Sequence, residues 1–288
     1  MTAVPALALG LLSLDAAEAR PLVHGGKLLL TRGVSTIEGA AGGGLSTWSL
    51  VSGNETEDGI GGSAFATVAP LPDFELRAYG AAVGFHDRLE VSYARQEFHT
   101  GSTGRALGLR DRFTFEQDVI GVKLRVAGDA VYDQDRLMPQ IAVGAQFKTN
   151  SQEAVVRAVG AASDDGIDYY VTATKLLLSE SMLVSGALRW TEANQAGLLG
   201  FGGDRNDGHS LQAEAAVAYM LSRRFIVGGE YRTKPDNLRF AKEDDAFDLF
   251  AAYALTSNLS GTLAYVDLGD IATREGQRGV YVSLQVGY

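Results

Sequence analysis

The chain has 288 residues, enough for one large domain or two ordinary ones with a substantial core. It contains no cysteine, which excludes a disulfide scaffold, a thiolate zinc site and a cysteine nucleophile, and its 25 basic against 35 acidic residues (formal charge −10) argue against a nucleic-acid partner. Its 35 glycines, against about 20 at average usage, and its 21 % charged residues exclude a disordered chain and a helical membrane protein, leaving an all-β protein, soluble or outer-membrane.

From the N-terminus, Ala6 to Leu14 has the length of a signal-peptide core, and Ala17-Glu18-Ala19 is a cleavage-site pattern that makes Arg20 the first mature residue. Residues 1–19 are therefore expected to be a signal peptide, although the usual positive n-region is missing. Segment 20–58 is the least strand-like part of the chain. Its Gly39–Gly44 run permits close backbone approach, and Trp48 gives it an apolar anchor. Either it folds into a barrel as a plug, or 34–41 and 45–53 form a first hairpin.

From residue 59 the chain repeats one theme: an alternating run, a short polar turn, another alternating run, then a longer glycine-rich or acidic loop. Strands are expected near 59–69, 74–85, 89–100, 117–128, 138–149, 168–179, 183–194, 211–222, 225–236, 246–257, 259–271 and 279–288. Short turns such as 85–89, 221–225 and 255–259 at one rim, with long loops at 101–116, 150–167, 195–210, 238–245 and 272–278 at the other, are the habit of transmembrane barrels. In each run aliphatic residues alternate with small, polar and charged ones, as Ile120, Val122, Leu124 and Val126 do with Gly121, Lys123, Arg125 and Ala127. Periodicity does not say which face points inward. The sorted loops favour the membrane, as do aromatic residues near strand ends (Phe85, Tyr93, Tyr219, Phe225, Tyr231, Tyr253, Tyr265, Tyr288). The last ten residues form the cleanest strand, with Val280, Val282, Leu284, Val286 and Tyr288 on one face. This resembles the terminal strand of bacterial outer-membrane barrels, so Val282, Leu284, Val286 and Tyr288 are read as an insertion signal for the barrel-assembly machinery.

Several longer stretches carry a family resemblance: Leu28-Leu29-Leu30-Thr31 through Gly33-Val34-Ser35 to Ile37-Glu38-Gly39-Ala40-Ala41-Gly42-Gly43-Gly44-Leu45, then Tyr132-Asp133-Gln134-Asp135-Arg136, Leu199 to Gly208, and Tyr231 to Leu238. In that order, from about residue 25 to the C-terminus, they resemble a proteobacterial family of exported proteins, domain of unknown function 3034. The resemblance implies an outer-membrane location. It carries no catalytic or binding residues.

Chemistry-bearing residues are sparse. His24, His86, His99 and His209 are scattered without metal-ligand spacing. His99, beside Thr100 and Ser102, is the one candidate for a barrel lipase, against ordinary loop histidines. Asp204, Asn206 and Asp207 with Gly208 resemble half a calcium loop, but the twelfth position is Ala215 and not a glutamate. Glu243-Asp244-Asp245 with Asp248 forms an acidic patch suited to a divalent cation at lipopolysaccharide phosphates, or simply a solvated loop. The expected lumen carries Glu90, Lys123, Arg125, Lys148, Arg189, Glu214, Glu230, Arg232 and Asp248, whose mixed signs suggest a salt-bridged, narrow interior.

The sequence thus predicts an all-β, up-and-down antiparallel transmembrane barrel of about twelve strands, or fourteen with the extra hairpin, in the outer membrane of a Gram-negative bacterium. Its expected work is a porin-like narrow channel or uptake route for a small polar or amphipathic solute. The alternatives are a structural or surface-interaction barrel acting through its outer loops and, last, a lipid-acting enzyme. No cofactor is expected. The expected partners are outer-membrane lipid, lipopolysaccharide and the assembly machinery.

Overall fold

Alternating runs of β-branched, aromatic and small residues favour a pleated backbone, and closing the sheet leaves no unpaired edge. The computed structural model describes residues 27, 29–57, 59–131, 133, 134 and 137–288, so the expected signal peptide and His24 lie outside the described residues. Twelve strands form one closed barrel: β1 (Ile60–Pro70), β2 (Glu75–Phe85), β3 (Leu89–His99), β4 (Thr114–Ala127), β5 (Gln140–Asn150), β6 (Asp165–Leu177), β7 (Met182–Thr191), β8 (Ser210–Ser222), β9 (Phe225–Arg232), β10 (Ala246–Ala254), β11 (Leu259–Asp267) and β12 (Arg278–Gly287). Each pairs antiparallel with its sequence neighbours, and β12 closes on β1 in the register Ser63↔Gly287 to Val68↔Val282. Segment 29–57 adds no strand to this wall, so the count is twelve and not fourteen.

The ends of the strands differ from the sequence reading by a few residues, most at β9 and β11, which stop at Arg232 and Asp267 and not near 236 and 271; in β9, Pro235 cannot continue the ladder. Loop sorting is less regular than expected. Connections 86–88, 178–181, 223–224 and 255–258 are short and share one rim, but 128–139 on that rim is long, and 71–74 on the opposite rim is short.

The faces of the sheet settle which way the protein is turned. Leu124, Val217, Leu249 and Leu284 point out of the barrel, with Leu284 54 % exposed. Arg189, Lys123, Lys148, Gln96, Gln117 and Gln146 are among the largest fully buried side chains. A barrel that is apolar outside and charged inside is built for lipid. Exposed aromatics gather near the strand ends. Tyr169 with Trp190 and Phe247 with Tyr265 lie toward the long-loop rim, and Phe225 with Tyr253 toward the short-turn rim.

The long loops fold over their own mouth. They include helices α1 (Thr103–Ala106) and α2 (Glu153–Ala158) and a 3-10 turn at Asn194–Gly197. Phe201 bridges Ser163 and Ala193, and Phe74, Phe98, Phe115, Val156, Leu199 and Ile271 form the apolar centre of this cap.

Candidate functional site

The interior is occupied by the chain itself. Residues 32–53 form a loop whose ends meet at the short-turn rim, where the Gly53 amide donates to the Arg32 carbonyl at 2.7 Å. Next to it, the Asn54 amide donates to the Tyr288 carbonyl at 2.9 Å, tying the loop to the β1–β12 seam. Inside, Ser35 bridges Ala41 and Gly42 bridges Thr47, giving two tight reversals that lie across the lumen. Two glycines make this fit possible. Gly39 has φ +94° in the turn beside Glu38, and a Cβ on Gly43 would stand 1.7 Å from Glu230 Oε1.

Barrel side chains hold this segment through its backbone. Glu90 accepts the amides of Ala41 (3.1 Å) and Ser52 (2.8 Å), and Glu214 accepts that of Thr47 at 2.7 Å. Glu230 accepts the amides of Gly44 (2.6 Å) and Leu45 (2.8 Å) and the Ser46 hydroxyl. In return Lys123 donates to the carbonyls of Ala41 (3.3 Å) and Trp48 (3.2 Å), and Gln140 donates to that of Ser49 at 2.6 Å. Backbone groups without a regular ladder are thus satisfied inside the barrel, as burial demands.

A compact ion network crosses the centre. Glu38, from the plug segment, meets Lys148, Arg232 Nη1 at 3.0 Å and Arg189 Nη2 at 3.6 Å. Asp168 meets Lys148 at 2.7 Å and Arg189 at 3.2 Å, while Glu214 meets Arg189 at 2.6 Å and Arg232 at 3.6 Å. Three carboxylates face three cations, so the low-dielectric interior carries no net charge from this cluster. Glu90 and Lys123 pair separately at 3.1 Å. Glu230 and Asp248 are cross-strand neighbours in the β9–β10 register, and no cationic side chain among the described residues lies within ion-pair distance of either.

Of the nine residues assigned to the lumen from sequence, Glu90, Lys123, Lys148, Arg189, Glu214, Glu230, Arg232 and Asp248 are buried inside the barrel. Arg125 lies at the short-turn mouth, bound to Asp87 and, at 3.1 Å, to Asp129. Val282, Leu284, Val286 and Tyr288 are exposed on the outer face. Sequence reasoning missed Glu38 and Asp168. A signal for Glu38 was present, since it is the only charged residue between Arg32 and Glu55.

The other sequence candidates are not assembled. Asp204 accepts the Arg239 amide at 2.9 Å, and Asn206 donates to Gly208 (3.2 Å) and Asn237 (3.1 Å), so these half-loop ligands have protein partners. No group of three or more His, Asp or Glu among the described residues is placed to hold a metal ion. The acidic patch is dispersed, because strand alternation turns Asp248 into the lumen. Asp244 pairs with Lys242 at 2.7 Å, Asp245 accepts the Tyr231 hydroxyl, and Glu243 is buried against the Gln195 amide at 2.9 Å. Burial pushes the Glu243 carboxyl up to about 7, with nearby Lys234 acting in the opposite direction. His99 Nδ1 lies 2.9 Å from Thr114 Oγ1 and not against Thr100, whose hydroxyl donates to the Phe113 carbonyl, because the strand turns His99 toward β4.

Beside the plug lies a cavity of about 790 Å³, bounded by Leu30, Trp48, Leu183, Ile226, Phe250 and Tyr281 and reaching the short-turn residues Ser222 and Arg223. Asp248 and Thr262 also line it, and Asp248 Oδ1 and Thr262 Oγ1 are buried without a hydrogen-bond partner.

Solved structures share this architecture. A KdgM porin aligns with TM-score 0.51 at 9 % identity, over 78 % of this chain and 99 % of that chain. A NanC porin gives 0.48 at 11 % identity, over 79 % and 98 %. An active-site mutant of the outer-membrane phospholipase A from Escherichia coli gives 0.46 at 10 % identity, over 79 % and 90 %. The likeness to the KdgM porin concerns the fold, which is that of outer-membrane β-barrels. No curated protein matches the sequence. The model of one family, described as protein of unknown function (DUF3034), matches residues 31–285, and the chain belongs to that family.

Proposed function

We propose that the protein resides in the bacterial outer membrane as a porin-like barrel kept closed by its own segment 32–53, and that displacement of this segment opens a narrow passage for a small polar or amphipathic solute. The observation that carries this reading is Glu38. It places one plug carboxylate among Lys148, Arg189 and Arg232 of the wall, a local and reversible latch. A twelve-strand barrel falls between the side-chain-filled eight-strand type and open sixteen-strand porins, so removing a segment from its lumen leaves a small bore. The aliphatic outer face meets lipid and lipopolysaccharide in this reading, and β12, with Val282, Leu284, Val286 and Tyr288 outward, is the strand engaged by the assembly machinery.

Planar-bilayer conductance tests it. The full chain is expected to be nearly silent, and a variant lacking 32–53, shown to be folded by heat-modifiable gel mobility, is expected to conduct. A folded, inserted and silent deletion variant would sink the channel reading and move the function to the packed outer loops.

A further inference from the structure

The cavity beside the plug has chemically distinct ends. Along β10 the lumen-facing positions run Ala252, Phe250, Asp248, from the short-turn rim toward mid-barrel. At ~3.3 Å per residue, Asp248 lies about 20 Å along the strand from Ala254, so an acidic group sits at the deep end of an apolar passage. Its walls are Leu30 just before the plug, Trp48 from the plug, and Leu183, Ile226, Phe250 and Tyr281 from the barrel.

The deep end is electrostatically incomplete. The central network balances three carboxylates with three cations, and Glu90 has Lys123. Glu230 is engaged by the plug's Gly44 and Leu45 amides and the Ser46 hydroxyl. Asp248 has neither aid. It is 3 % exposed, its Oδ1 has no hydrogen-bond partner, and its neighbour across the β9–β10 pair is another carboxyl, that of Glu230. A pair of adjoining carboxyl groups with no cation beside it is costly in such surroundings. A neutral hydrocarbon filling the cavity would leave that cost in place, and an anionic head at the deep end would raise it. A positively charged N–H donor removes it.

We propose that this cavity binds an amphipathic organic cation, with its ammonium group at Asp248 and its apolar body along Phe250, Ile226, Leu183 and Trp48. Entry is from the short-turn rim, where Lys27, Arg32, Ser222 and Arg223 line the mouth. This names the solute class of the gated-barrel reading, and rests on that reading only for passage across the membrane. Binding itself requires the plug in place, because Trp48, Gly43 and Gly44 form part of the wall.

The test uses octylammonium, octanol and octanoate, each below its micellar concentration, titrated calorimetrically into the full chain in lipid nanodiscs with empty nanodiscs as reference. Octylammonium is expected to bind more tightly than octanol and octanoate. Asp248→Asn is expected to lower octylammonium affinity at least about tenfold, the size of one charge-assisted hydrogen bond, and to change octanol less than about twofold. Ala252→Phe, which fills the passage and leaves the acidic end intact, is expected to abolish binding of both. Tighter binding of octanoate than of octylammonium would overturn the proposal and give the cavity to an anion held at the arginine rim. Equal octylammonium affinity in the wild type and Asp248→Asn would overturn it as well. Binding is read on the closed barrel at equilibrium, so its failure leaves the conductance result standing, and a silent channel leaves the binding result standing.

Discussion

Replacing Glu38 by alanine removes the one plug carboxylate from the central network and leaves Lys148, Arg189 and Arg232 facing only Asp168 and Glu214. All these side chains are 9 % exposed or less, so solvent does not rescue the surplus cation. Deleting one partner of a buried ion group costs roughly 3–5 kcal/mol. That cost falls on the docked state of segment 32–53 and not on the wall, whose ladders Glu38 does not join. The docking equilibrium should therefore shift by roughly two to three and a half decades, at about 1.4 kcal/mol per decade. Amide hydrogen exchange in nanodiscs reads this directly. Protection of the Thr36, Ile37, Trp48 and Ser49 amides should fall in Glu38→Ala while that of β1–β12 persists. Adding Lys148→Met removes the surplus cation, and should recover part of the lost protection. Unchanged exchange in Glu38→Ala would refute the latch, and uniform loss over strands and plug would show that the network supports the wall instead.

Two further perturbations separate the membrane face from the outer cap. Leu284→Arg places a charge on the outward face of β12 and should lower stability against urea in lipid by roughly 2–4 kcal/mol; a loss under about half a kcal/mol would contradict a lipid-facing surface there. In the cap, the unfolded Glu243 releases its proton near 4.5 and the folded one near 7, so the native state binds more protons between these values and stability falls as pH rises through that window. The loss reaches roughly 3 kcal/mol above pH 7, and Glu243→Gln should remove this part of the pH dependence. Equal urea midpoints for the wild type and Glu243→Gln at both pH 5 and pH 8 would show that burial of Glu243 has no such effect.

Strand number and order were legible in the sequence because they rest on local signals. The period-2 runs, the short turns framed by apolar residues and the final Val280–Tyr288 alternation each need only a few neighbouring residues to be recognised. The residues that fill the interior were partly legible for the same reason, since alternation places Lys123, Lys148, Arg189, Glu214 and Glu230 on one face of their strands. Alternation alone did not say which face turned inward, because it is symmetric under exchange of inside and outside; the sorted loops and the aromatics near strand ends favoured a polar interior, and closure with Arg189 and Lys148 buried shows it. The same limit applies to segment 32–53. Its glycines and Trp48 suit a hairpin or a plug equally well by themselves, and its position depends on amides that find Glu90, Glu214 and Glu230 from strands far along the chain. Likewise the sequence assigns Asp248 both to an acidic loop with Glu243-Asp244-Asp245 and to the lumen, and the first turn of the β10 pleat sends it into the lumen beside Glu230, with no cation among the described residues within ion-pair distance. Local periodicity is a property of the sequence, whereas the pairing of charges across a closed lumen exists only once twelve strands have enclosed it.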